Sequence, residues 1–282
     1  MGKLIQDARS ALKEDRNISL KKTIEDLSYL GEDFVESNYK YHMSYLTEEL
    51  RYIGLESVEK EWPYETFFTL TGLNNIGKKI VEITPNENAQ NENYNFLDVK
   101  KVLEALSDIG LKTVEKKLGT ADMPIAYNAI DYIKEIGVKS VQSELSILSE
   151  SALGGILKIG IKAVETDLKM GVDPHGFYNY TRDFLIEIGI EADKKDSLEE
   201  ITKKSMQSLW VLSAIIQKYQ REPKEWADKL NKKLNGFKLN NEVANILFQS
   251  GFDNAKRIHQ DLTTEIESFK EIYDAYCNRT PK

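Results

Sequence analysis

Ala129-Ile130-Asp131-Tyr132-Ile133-Lys134-Glu135-Ile136-Gly137, followed by Val141 and Leu145, is the stretch that decides the fold. Its apolar residues recur at steps of three and four, the period of a helix, and break the two-residue alternation of a strand. The closing Ile-Gly pair recurs at Ile53-Gly54, Ile76-Gly77, Ile109-Gly110, Ile159-Gly160 and Ile188-Gly189. Looser copies stand at Leu30-Gly31 and Ser250-Gly251. Intervals of roughly 23–33 residues are those of a repeat architecture.

With each glycine as position 0, position −4 is apolar in every copy: Leu27, Leu50, Leu73, Leu106, Ile133, Ile156, Leu185 and Leu247. Position +1 is usually apolar (Leu55, Leu111, Val138, Ile161, Ile190, Phe252), and +4 is Val35, Val58, Val81, Val114, Val141, Val164 or Ala255, with Asp193 as the exception. Position +8 is often large, as in Trp62, Leu118, Leu145 and Leu168. On a helical wheel these positions form one apolar arc centred on the glycine. Two geometries fit. Each unit is one long helix whose glycine admits a close neighbour, or the glycine ends a first helix in the left-handed C′ role and a second follows. The phase runs through the glycine unbroken, which favours the single helix.

Pro63, Pro85, Pro124, Pro174 and Pro223 all lie between motif centres, where helices start. The run 84–93 is rich in asparagine and reads as a loop that lengthens one connection. Between Gly189 and Gly251 the motif lapses. Leu209 to Ile216 reads as a degenerate copy with Ser213 in the glycine place. The expected fold is all-α, an α-solenoid or array of about nine helical repeat units, with a large helical bundle as the alternative. The repeat array is expected over residues 1–222 and a C-terminal helical repeat or cap over 223–282, continuous with it.

The stretch Ala129–Gly137 with Val141 and Leu145, and likewise 103–118 and 153–168, resembles a short HEAT-like repeat of the phycocyanobilin-lyase type. The resemblance spans about residues 24–260, in fragments. It implies an α-solenoid that serves as a scaffold or docking surface. Where such repeats usually turn with Asp-Pro after the glycine, this chain has Leu111-Lys112, Val138-Lys139 or Ile161-Lys162.

Charge follows the repeat too. Position +2 is Asp33, Glu56, Lys79, Lys112, Lys139, Lys162, Glu191 or Asp253. Position +5 is Glu36, Glu59, Glu82, Glu115 or Glu165, with Gln142 in one copy. Both fall opposite the glycine on the wheel. They are expected to form a solvated face with Lys–Glu pairs three residues apart in one helix. Lys112, Lys139 and Lys162 are also candidates for a stripe that recognises a partner. Two aromatic clusters are further candidates for partner contact: Tyr39, Tyr41, His42 and Tyr45, and the run from His175 through Tyr178, Tyr180 and Arg182.

The net charge of −8 weighs against whole-surface binding to nucleic acid, although residues 218–238 are locally basic. One cysteine, Cys277, permits no internal disulfide, and three histidines, His42, His175 and His259, show no metal-ligand spacing. No phosphate loop or dinucleotide fingerprint is present; Gly154-Gly155 has no preceding strand. The longest strongly apolar stretch, 209–216, is too short to span a bilayer, and the N-terminal residues lack an export core. The expectation is a cytoplasmic, non-catalytic scaffold with a protein partner and with neither cofactor nor metal. The alternatives are a helical-repeat nucleic-acid binder or DNA glycosylase-like enzyme, and the soluble partner of a membrane assembly. A final amphipathic helix, 262–276, is expected to cap the array.

Overall fold

The computed structural model describes residues 1–37, 39–84, 95–120, 123–170 and 175–218. These contain nine α-helices: α1 (Gly2–Lys13), α2 (Asn17–Glu36), α3 (Lys40–Glu59), α4 (Pro63–Ile83), α5 (Asn95–Lys116), α6 (Ile125–Gln142), α7 (Ser146–Met170), α8 (His175–Asp193) and α9 (Glu199–Lys218). Two-residue strands β1 (Gly119–Thr120) and β2 (Met123–Pro124) pair antiparallel in the α5–α6 connection, with Gly119 opposite Pro124. The fold is an all-α repeat array. The asparagine-rich run beyond Thr84, the copy at Gly251, the basic stretch beyond Lys218, the 222/223 boundary and the 262–276 cap lie outside the described residues.

Each motif is one helix, and its glycine lies in the helix interior. Gly31, Gly54, Gly77, Gly160 and Gly189 each stand fourteen residues after the first residue of their helix. Ser213 stands at the same place in α9, which makes α9 the degenerate copy. The helix-ending role for glycine is therefore overturned. The left-handed residues after the helices are Asp15, Glu61, Lys117 and Glu144, at φ from 53° to 57°. The amide after each of these donates back five residues: Arg16 to Ala11, Trp62 to Ser57, Leu118 to Thr113 and Leu145 to Ser140. This is the Schellman closure, completed without glycine. It also relocates position +8. Trp62, Leu118 and Leu145 are not a further turn of the apolar arc but the residues that follow the left-handed cap. Pro63 opens α4, where its missing amide costs nothing, and Pro124 immediately precedes α6.

The chain divides into two compact units, Met1–Lys162 and Ala163–Lys282. In the first, helices pack on the next helix but one as well as on the next: α2 on α4, α4 on α6, α3 on α5 and, more lightly, α1 on α3. Two layers result, α2–α4–α6 and α1–α3–α5, and the start of α7 extends the second. In the second unit α8 packs along α9, and the Ser205 hydroxyl donates to the Leu185 carbonyl at 2.5 Å.

The Ile-Gly pair is the device that stacks each layer. A Cβ placed on Gly77 would come within 2.6 Å of Ile136 Cδ1, and one on Gly110 within 2.6 Å of Ile159 Cδ1. The same atom of Ile76 presses on Gly31, and that of Ile109 on Gly54, closer still. The isoleucine of each pair thus enters the hollow above the glycine two helices earlier. Glycine costs about 1 kcal/mol against alanine in a helix interior, and this close approach is its reason. The −4 residues from Leu27 to Leu185 are fully buried, as the wheel requires. The +1 residues Leu55, Leu111, Val138, Ile161 and Ile190 are only half-buried, so the arc is narrower than the wheel suggested.

Candidate interaction surface

Outside the apolar seam, the same stacking register places +2 of one helix beside +5 of the helix two before it. Lys79 pairs with Glu36 at 2.7 Å, Lys112 with Glu59 at 2.5 Å, Lys139 with Glu82, and Lys162 with Glu115 at 3.1 Å. Lys116 adds a second contact to Glu59 at 2.5 Å. The expected pairing within one helix is seen as a 4.0 Å contact of Lys112 with Glu115. The reason is geometric: a parallel neighbour offers its carboxylate directly, whereas a Lys N-terminal to a Glu is the weaker order within one helix. Hydrogen bonds from Lys112 and Lys116 hold the Glu59 carboxyl below its usual range, and Lys139 does the same for Glu82. The bond to Glu59 raises Lys112, and the bond to Glu36 raises Lys79.

A second buttress ties α1 to α3. Arg9 donates from Nε to Glu49 Oε2 at 3.1 Å and from Nη2 to Oε1 at 2.5 Å. Its guanidinium lies 5.7 Å from the Tyr52 ring centre. Glu49 is buried, and the bond to it raises Arg9.

At the loop edge of the first unit the α3–α4 and α5–α6 connections frame an open groove of about 890 Å³. Tyr64, Phe67 and Phe68 of α4 line one side, and Leu118, Ile125 and Lys117 the other. Tyr64 is 74% exposed. Phe67 meets Phe68 edge-on at 5.8 Å and Tyr132 at 6.5 Å, and Lys21 Nζ sits 4.3 Å from the Phe68 ring centre. Beside these rings, Asn74 and Lys78 donate to Glu135 Oε2 at 2.9 and 2.8 Å. Burial pushes the Glu135 carboxyl up, but these two bonds outweigh it and hold it low. Burial raises the Tyr132 hydroxyl, which lies 3.0 Å from Thr71 Oγ1.

A smaller cleft of about 410 Å³ separates α5 from α7. Leu103, Ser107 and Ile147 line it, Gly154-Gly155 form part of its wall, and Lys100, Glu104 and Lys158 stand around it. Arg51 bonds Asp108, which also lines the cleft, at 2.5 Å.

The aromatic candidates separate. Tyr39 is exposed and caps α3, with its ring 6.1 Å from Phe34 and 6.0 Å from His42. Tyr45 is exposed on α3. The side chains of Tyr41 and His175, at the starts of α3 and α8, lie outside the described residues. Tyr178 must be corrected: it is 1% exposed, packed in the core, and its ring is not offered to a partner. Tyr180 lies against Phe184, with ring centres 4.4 Å apart and the planes tilted by 55°. Arg182 is held locally, on Asp183 at 2.8 Å and Asn179 at 2.9 Å. Lys112, Lys139 and Lys162 are each engaged by a glutamate, as described above. Sequence reading missed Tyr64, Phe67 and Phe68. Their signal was present, an aromatic cluster directly after a helix-start proline.

No group of three His, Cys, Asp or Glu side chains converges for a metal among the described residues. No helix of the described residues is long and apolar enough to cross a membrane. No family model and no curated protein matches the chain. Among solved structures it is similar to a circular tandem repeat protein with novel repeat topology and enhanced subunit contact surfaces. That similarity is at 12% identity, covers 97% of this chain and 69% of the other, and has a TM-score of 0.44.

Proposed function

We propose that this chain is a non-catalytic helical-repeat scaffold that binds another protein. The observation that carries the reading is the aromatic groove of Tyr64, Phe67 and Phe68, in which Tyr64 is exposed and the two phenylalanines are half-buried. Exposed aromatic rings in a concave setting are characteristic of binding hot spots. Their hydrophobic surface is held on a stacked, doubly tied layer, so it is presented without a large ordering cost. The resemblance to HEAT-like repeats supports the same role, and a cytoplasmic setting accompanies it.

The nucleic-acid reading loses its main support. The repeat-linked lysines that suggested it are each neutralised by a glutamate, and a phosphate would have to displace that carboxylate. The test is affinity capture from cell extract with the wild-type chain and a Tyr64→Ala/Phe68→Ala variant. A partner retained by the first and lost from the second supports the scaffold reading. Equal capture by both, or a salt-dependent mobility shift with duplex DNA, overturns it.

A further inference from the structure

Glycine weakens a helix interior, so each one needs a reason. In the first unit Gly31, Gly54, Gly77 and Gly110 admit an isoleucine, Gly72 admits Ser28, and Gly155 lies against Ile133. Gly154 has no such neighbour: a Cβ there would meet nothing within 4 Å. It borders the cleft between α5 and α7. Ser107 lines the same cleft, is 5% exposed, and its hydroxyl makes no hydrogen bond among the described residues. An unmatched buried hydroxyl is costly and uncommon. One point of this surface therefore combines a helix stripped of its side chain with a polar group lacking a partner.

We infer that Gly154 is a socket for an α-helix of a partner protein, which lays an aliphatic side chain against Gly154 and brings a polar group to Ser107. The inference rests on the scaffold reading and gives that scaffold a second, more specific contact. The fold itself supplies the precedent. Wherever the Ile-Gly stack is described in the first unit, a glycine hollow receives an isoleucine from a parallel helix. The walls suit a helix as well. Gly110 lies against Ile159, and Gly155 beside Ser107, so α5 and α7 run parallel. The groove between two parallel helices accepts a third by ridge-and-groove packing.

Charge defines the incoming helix further. Lys100, Glu104 and Lys158 carry no ion pair among the described residues. In the register of Ser107 with Gly155, Lys158 lies level with Gly110, so the two lysines stand about 15 Å apart along the cleft. Glu104 lies between them. The matching helix bears acidic residues about ten positions apart, a basic residue between them and an aliphatic residue facing Gly154.

The probe is a displayed library of helical peptides of about 20 residues, with a fixed central isoleucine and randomised flanks, selected on the full chain. Enriched peptides are then titrated by fluorescence anisotropy. The expected winners carry the acid–base–acid pattern, bind saturably, and lose about ten-fold in affinity at Gly154→Leu. Lys158→Glu weakens them, and replacing the facing acid by lysine restores binding. Gly154→Ala, which meets no neighbour, raises the melting temperature while weakening the peptide. The inference is overturned if no helix is enriched, if Gly154→Leu leaves binding unchanged, or if Gly154→Ala lowers the melting temperature. Circular dichroism checks that each variant folds. If Gly154→Leu fails to block the peptides yet the chain still captures its partner through Tyr64 and Phe68, the socket falls and the scaffold stands.

Discussion

The seam inside each layer and the charge ladder on its rim use one register and differ in everything else. In both, a residue of one helix meets its counterpart two helices earlier. The seam is apolar, built from isoleucine against glycine, and an added atom is accepted only where the facing side chain can move aside. The ladder is wet, built from long flexible side chains, and gives way readily. Register is therefore enforced by shape, and the charges confirm it at little energetic gain.

The sharpest way to break the seam is Gly110→Val. A Cβ there would sit 2.8 Å from Ala129 Cβ, which cannot rotate away, as well as 2.6 Å from Ile159 Cδ1. The expected loss is about 3 kcal/mol in urea unfolding, more than an ordinary surface change. Arg9→Ala comes next. It leaves the Glu49 carboxylate buried without its guanidinium, for about 1–2 kcal/mol after screening at half-exposed Arg9. Gly54→Ala is milder, because the obstructing atom is the tip of Ile109, which can move. About 1 kcal/mol is expected, and Ile109→Val, which removes that tip, should recover part of it in a double-mutant cycle.

The ladder should give the smallest effect. Replacing Lys79, Lys112, Lys139 and Lys162 together by Gln is expected to shift the melting midpoint at neutral pH little more than replicate melts scatter. Its trace appears in acid. Glu59 and Glu82 have carboxyls held below their ordinary range. The stability they add is present above that range and is lost as pH falls through the depressed values. The wild-type midpoint should therefore fall on acidification below about pH 4, and the four-lysine variant should fall less. An identical acid limb in both would show that the ladder carries no part of that loss.

The helical period and the buried place of the glycine were legible in the chain because they depend on angle alone, and the unbroken phase favoured one helix per motif without deciding it against a hairpin. The partner of each glycine was not legible, since a helical wheel gives direction and no neighbour. The charged positions misled for that reason: +2 and +5 of one helix look like a pair until a parallel helix offers a closer one. The wheel also assumed that the helix continues to Trp62, Leu118 and Leu145, where a left-handed residue has already turned the chain. Tyr178 shows the limit of aromatic clusters, because a ring serves a core as well as a surface. Some of the pairing was nonetheless written in an exception. Leu30 is half-exposed, and it belongs to the first helix that carries the motif.

Because each helix is keyed to the next but one, the array has a parity. Removing one helix would carry every helix beyond the cut into the other layer and reverse its direction; isoleucine would still meet glycine, because both layers share the motif, but the contacts with the facing layer would be exchanged. Removing an adjacent pair, such as α4 with α5, would bring α6 against α2 and α7 against α3 with glycine, isoleucine, lysine and glutamate still in step. An array of this kind lengthens or shortens in twos, and its smallest heritable piece is a hairpin of about 50 residues although its visible motif is half that long.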